Sequence, residues 1–296
     1  MNPVRGKILY KSADLLFANR TSNGMKWARA FQSGYSIVEI MIVLAISGVI
    51  FTSGLVLFSG QGAEVNFNQA VDDLASKLST EARSVSASQF YSAQGYSCTV
   101  SGSPPRATLS SSSGGSGATS QDCLSIGKGF EAITGTTDIY IYSVLGNRQI
   151  YSGGTPLGPA SSLAEANPTI AVADGVDLNT DYKLGGGLKI ISSKVADSAG
   201  ILSPSSLVGY YLDFSGESGN SQSGGILTAK AYNLDTAGHD VSAAKTCVEG
   251  TSCSVPSDIS SWQLCLESSD TKRHALLIVS NSAAGVTTNL KFESCS

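Results

Sequence analysis

One carboxylate near the start of an otherwise uncharged apolar run constrains this chain more than any other feature. From Ile37 to Phe58 there are 22 residues, and Glu39 is the only charge among them. As a helix the run spans roughly 33 Å at about 1.5 Å per residue, against a hydrocarbon core of roughly 30 Å. An ionisable group inside such a segment costs on the order of 2.5–3.5 kcal/mol on insertion scales, so its presence asks for a partner. Charge sets the orientation. Arg5, Lys7, Lys11, Arg20, Lys26 and Arg29 precede Gly34 with one acid, Asp14, whereas Glu64, Asp72 and Asp73 follow the run before the next base, Lys77. The basic flank is therefore expected in the cytoplasm, giving a single-pass, N-in protein. A cleaved secretory signal shares the basic start and apolar core. This run, however, is longer than a usual signal core, contains Glu39 and lacks a clear small-x-small cleavage site.

The run opens with Gly34-Tyr35-Ser36-Ile37-Val38-Glu39. This hexapeptide and the apolar segment after it resemble the processing motif of type IV prepilins and pseudopilins, a match confined to residues 34–58. The resemblance implies that a membrane prepilin peptidase cuts between Gly34 and Tyr35, on the cytoplasmic side, and methylates the new amine of Tyr35. It implies that Glu39 guides assembly, and that the partners are other pilin subunits, the pilus assembly platform and the membrane. The subunit would sit in the cytoplasmic membrane before assembly, and in a surface pilus or the periplasm after it.

Three departures from the family pattern are visible. Tyr35 stands where Phe is commoner, and the 34-residue leader is long, although a start at Met25 would give the compact basic leader Met25–Gly34. The proline that many major pilins carry in the membrane helix is absent, which favours a minor subunit. Independently of the family, an amine freed on Tyr35 of a neighbouring subunit is the partner that Glu39 lacks, because an ion pair is strong where the dielectric is low. A glutamate that reaches back to the interface is the plainer alternative.

Past the run, Phe67, Val71, Leu74, Leu78, Ala82 and Val85 recur at spacings of three and four, opposite Asp72, Asp73, Ser76, Thr80 and Arg83. That is an amphipathic helix with one apolar face. Gly60 and Gly62 lie between the two segments and together cost about 2 kcal/mol of helix relative to alanine. They predict either a bend or unwinding point, or a C-cap for the apolar segment. Residues 35–58 are thus read as the membrane and filament-core helix, and 59–91 as the amphipathic helix.

From about residue 92 the texture turns to Gly, Ser and Thr with short β-rich runs. Strands are predicted at 124–133, 138–145, 187–192, 207–214, 226–232, 262–267, 274–280 and 287–293. Ile139, Ile141 and Ser143 alternate with Tyr140, Tyr142 and Val144, as expected where each strand face has its own surroundings. The Ser/Gly-rich stretch 101–121, with Pro104-Pro105, reads as a flexible loop that buries nothing. The expected fold is α+β: one long N-terminal helix on an antiparallel sheet with long loops.

Removing 34 of 296 residues leaves 262, enough for one large or two small domains. Six of 19 basic residues and one of 23 acidic ones lie in the leader, leaving 13 against 22 and a net charge of −9. Such a balance argues against a general nucleic-acid surface, and the one adjacent basic pair in this part, Lys272-Arg273, falls in a predicted turn. Cys98, Cys123, Cys247, Cys253, Cys265 and Cys295 all follow the run, as suits disulfides in an oxidising compartment. Fifteen pairings are possible; the favoured set joins Cys98 to Cys123, Cys247 to Cys253 and Cys265 to Cys295.

No cofactor or metal is expected. No Cys-x-x-Cys is present and neither histidine has ligand-like spacing. Asp174, Asp177, Asn179 and Asp181 cluster oxygens, but Tyr182 and Leu188 occupy the places where a calcium loop needs Gly and Glu. His239-Asp240 resembles half of a catalytic pair without a nucleophile motif, so a surface-loop histidine is the better reading. His274 opens a strand and is expected to be structural. Three functions compete: a non-catalytic filament subunit, a membrane-anchored adhesin that does not polymerise, and a tethered hydrolase using His239.

Overall fold

Helical periodicity in the first part of the chain and strand periodicity in the rest produce two kinds of structure. The computed structural model describes residues 36–86, 96–111, 123–152, 154–173, 176–177, 179–212, 227–234, 238–250, 253, 257–270, 272–282 and 285–295. The chain divides into two units, with the boundary between Leu55 and Val56. The first helix, α1 (Ile37–Ser86), contributes to both. Gly60 and Gly62 are helical, so the unwinding or capping expected there is absent. Hydrogen-bonded turns on both sides propagate cooperatively and offset the glycine cost.

In the second unit α1 presents the expected apolar stripe. Phe67, Val71, Leu74, Leu78, Ala82 and Val85 are at most 2% exposed, while Asp72, Asp73, Ser76, Thr80 and Arg83 face solvent. At about 1.5–3 kcal/mol for each large apolar side chain withdrawn from water, this stripe is a main source of helix stability.

The strands run β1 (Tyr96–Ser101), β2 (Arg106–Ser111), β3 (Cys123–Ala132), β4 (Asp138–Asn147), β5 (Gln149–Ser152) and β6 (Thr155–Pro159). Four short ones follow: β7 (Thr169–Ile170), β8 (Val172–Ala173), β9 (Val176–Asp177) and β10 (Thr180–Lys183). Next come β11 (Leu188–Ala196), β12 (Leu202–Pro204), β13 (Leu207–Leu212) and β14 (Leu227–Tyr232). Helix α2 (Val241–Val248) precedes β15 (Ser257–Asp258), β16 (Ser261–Ser268), β17 (His274–Ser282) and β18 (Gly285–Lys291).

Where one sheet was expected, two main sheets form. One runs β10-β4-β3-β13-β14-β15, with β7 added to β4; the other runs β12-β11-β16-β17-β18. Both are antiparallel throughout. The α1 stripe, the inner face of the first sheet (Phe130, Ile139, Ile141, Tyr210) and the second sheet (Ile190, Trp262, Leu264, Leu277) share one core. The opposite face of the first sheet carries Ile126, Tyr142, Val144 and Tyr211 into a second core, closed by Ala244, Cys247 and Val248 of α2. The alternation along β4 therefore sorts side chains between two cores. It also explains why β3 and β4 are buried at almost every position.

The stretch 101–121 departs from expectation. Arg106–Ser111 is β2, paired along its length with β1, and Ala107 and Leu109 are buried beside Cys98, Cys123, Leu145 and Ala171. Long-range ties, two of them strong, hold this polar hairpin in place. The Cys98–Cys123 disulfide fastens it to β3. Arg106 donates to the carbonyl oxygens of Pro168 and Glu249, both at 2.8 Å. Residues 112–121 lie outside the described residues. The other disulfides, Cys247–Cys253 and Cys265–Cys295, complete the set favoured from the sequence.

Candidate functional site

Gly34 and Tyr35 lie outside the described residues, so the candidate site starts at Ser36. Its hydroxyl accepts from the Val38 N–H at 3.3 Å, and its carbonyl accepts the first helical hydrogen bond, from Ile40, at 3.1 Å. Ser36 thus caps α1, satisfying one of the N–H groups left open at a helix start. Glu39 sits in the first turn, where a carboxylate is favoured by the helix dipole. Among the described residues it has no hydrogen-bond or ion-pair partner.

The helix around Glu39 is unusual in what it leaves uncovered. Ile37–Gly54 has a mean hydropathy of 2.2, and none of it is buried within the chain. Ile37, Met41, Leu44, Val49 and Phe51 are all exposed. Beyond Glu39, two of the hydroxyls in this stretch are satisfied by the helix itself. Thr52 donates to the carbonyls of Gly48 and Val49 at 3.0 Å, and Ser53 donates to that of Val49 at 2.7 Å. A helix that keeps its hydroxyls on its own backbone and exposes its apolar side chains suits lipid or other apolar helices. By length and composition it can cross a membrane, as an anchor or a signal does.

No family model, curated protein or solved structure matches the chain.

The second unit places the remaining sequence candidates apart from Glu39 in the chain and in different roles. Asp240 caps α2, accepting from Ser242 N–H at 2.8 Å and Ala243 N–H at 3.2 Å, so it is no dyad partner for His239. His239 is the surface-loop residue expected, exposed and ahead of α2, but it is anchored there. Its ring stacks on Tyr140 at 3.5 Å with a 5° tilt, and its Nδ1 donates to Glu131 Oε2 at 2.9 Å. The Tyr142 hydroxyl donates to the same oxygen. Glu131 is 1% exposed, and the two donors satisfy this buried carboxyl oxygen, which would otherwise be costly to withdraw from water. No serine, threonine or cysteine is hydrogen-bonded to His239 among the described residues. Sequence reasoning missed Glu131 because an acid in an alternating strand reads as solvent-facing.

The other candidates are absorbed by structure. Asn179 Oδ1 accepts from the Ser143 N–H at 3.2 Å, Asp177 and Asp181 sit on different strands, and Asp174 lies outside the described residues. Arg273 of the basic pair forms a two-pronged ion pair with Glu64, its Nη1 2.6 Å from Oε1 and its Nη2 3.1 Å from Oε2. That contact holds the Glu64 carboxyl below its usual range. His274 starts β17, and its ring lies with Cys265 and Cys295 sulfur atoms inside 4.8 Å. The two sulfurs form a disulfide, however, and neither is the thiolate a metal would need.

Proposed function

We propose that this chain is a type IV pilin-like structural subunit, of the minor class, cut by a prepilin peptidase between Gly34 and Tyr35 and methylated on Tyr35. In this reading it has no catalysis of its own and needs no cofactor. It works by assembling with other pilin subunits, through the assembly platform, into a pilus or pseudopilus used for adhesion, motility, DNA uptake or secretion. The observation that carries the reading is an apolar helix, uncovered by its own chain, with a lone carboxylate in its first turn and Gly34-Tyr35-Ser36 immediately before it. Unpaired in hydrocarbon that carboxylate is costly; next to the Tyr35 amine of an adjoining subunit it becomes half of an ion pair that sets register. The absence of proline from residues 37–58 and the large β-rich unit support the minor class.

Replacing Glu39 by alanine tests the proposal. The variant should still insert in the membrane, because a charge has been removed from an apolar segment, but should be missing from sheared filaments. Filaments containing Glu39→Ala at the wild-type level would contradict assembly by this route and leave the membrane-anchored adhesin as the better account.

A further inference from the structure

The loop between β10 and β11 carries three consecutive glycines, Gly185-Gly186-Gly187, and passes close over α1. Gly186 has a φ of +60°, and a Cβ there would lie 2.9 Å from Ala70 Cβ and 3.1 Å from the Asn66 carbonyl oxygen. Only glycine permits that approach. Beside it, α1 and the loop enclose an open pocket of about 320 Å³. Asn66, Gln69, Ala70 and Asp73 of α1 line it, together with Tyr182 near the end of β10, which is partly buried against the main core. No hydrogen bond from these four polar side chains is found within the described residues. The Tyr182 hydroxyl stays protonated at neutral pH, since burial first and the Asp73 charge second push its pKa above the ordinary 10. Lys77, the cation beside Tyr182, is engaged by Glu81 at 2.8 Å.

We propose that this pocket binds a neutral, hydroxyl-rich ligand of one or two sugar units. Each sugar hydroxyl both donates and accepts. Two amides, one carboxylate and one phenol offer both kinds of partner, and the Tyr182 ring offers a flat apolar surface for the sugar's C–H face. An anion would meet Asp73 with no free cation to hold it. A wholly apolar ligand would strand four polar groups. The inference is independent of the assembly reading, because every residue involved lies in the unit beyond Leu55.

Saturation-transfer NMR on the full chain, in a phosphocholine detergent without sugar headgroups, tests it. The probes are glucose, galactose, N-acetylglucosamine and their β-linked disaccharides, with arginine methyl ester as a cationic probe. At least one sugar should bind, and Asp73→Ala and Asn66→Ala should each weaken it about ten-fold, as expected for losing a hydrogen bond to a ligand. Both side chains are exposed, so the variants should keep the wild-type melting temperature, while Leu157→Ala serves as a remote control. Absence of sugar binding, equal binding by the variants, or binding of the cationic probe in place of sugar would each overturn the proposal.

Discussion

The Glu81 carboxylate, on the inward side of α1, accepts from Lys77 Nζ at 2.8 Å and lies 3.4 Å from Lys128 Nζ on β3. Burial acts to raise its pKa, but the hydrogen bond to Lys77 and the charge of Lys128 together outweigh burial and hold it below the ordinary 4.5. A carboxyl lowered on folding stabilises the native state above its unfolded pKa, and that contribution is lost as pH falls through the folded value. Glu81→Gln should therefore cost about 1.5–3 kcal/mol at neutral pH, the range for hydrogen bonds to charged groups. It should also remove part of the further loss that the wild type shows below about pH 4.5. Urea midpoints measured from pH 7 to pH 3 would show converging curves; parallel curves would contradict the assignment. Neither Glu81 nor Glu131 is legible as buried in the sequence. Both sit in patterns that allow a solvated face, and only the second core and the Lys128 contact turn those positions inward.

At the scale of elements, the strongly periodic segments are readable. The stripe from Phe67 to Val85 and the strands at 124–133, 138–145, 262–267 and 274–280 stand within a few residues of their structural bounds. Their apolar side chains dictate both periodicity and burial. The β1–β2 hairpin is not readable, because only Ala107 and Leu109 of β2 are apolar and buried. Its order comes from partners distant in the chain: Cys123, Pro168 and Glu249. Helix α2 carries an N-cap signal in Asp240, but its 8 residues are too short for an apolar periodicity to stand out. Replacing Cys98 and Cys123 together by serine should lower stability by about 2–4 kcal/mol. Amide exchange should quicken first in residues 96–111, with β16 and β17 still protected. Uniform quickening across both sheets would contradict a local tie.

At the scale of the whole molecule, the contrast between the two units is the feature that needs a function. The unit beyond Leu55 buries large sets of apolar side chains in three clusters and carries three disulfides. The stretch Ile37–Gly54 covers none and carries one acid with no partner among the described residues. An uncovered apolar helix is stable only in lipid or among like helices, and the proposed life of the subunit takes it from the first to the second. In that proposal, the conversion runs through the amine that cleavage would expose on Tyr35. Mass spectrometry of the protein recovered from sheared surface filaments measures that step directly. The account predicts a chain that begins at Tyr35 with a methylated amine. A protein that retains Met25–Gly34, or begins at any other residue, would contradict it.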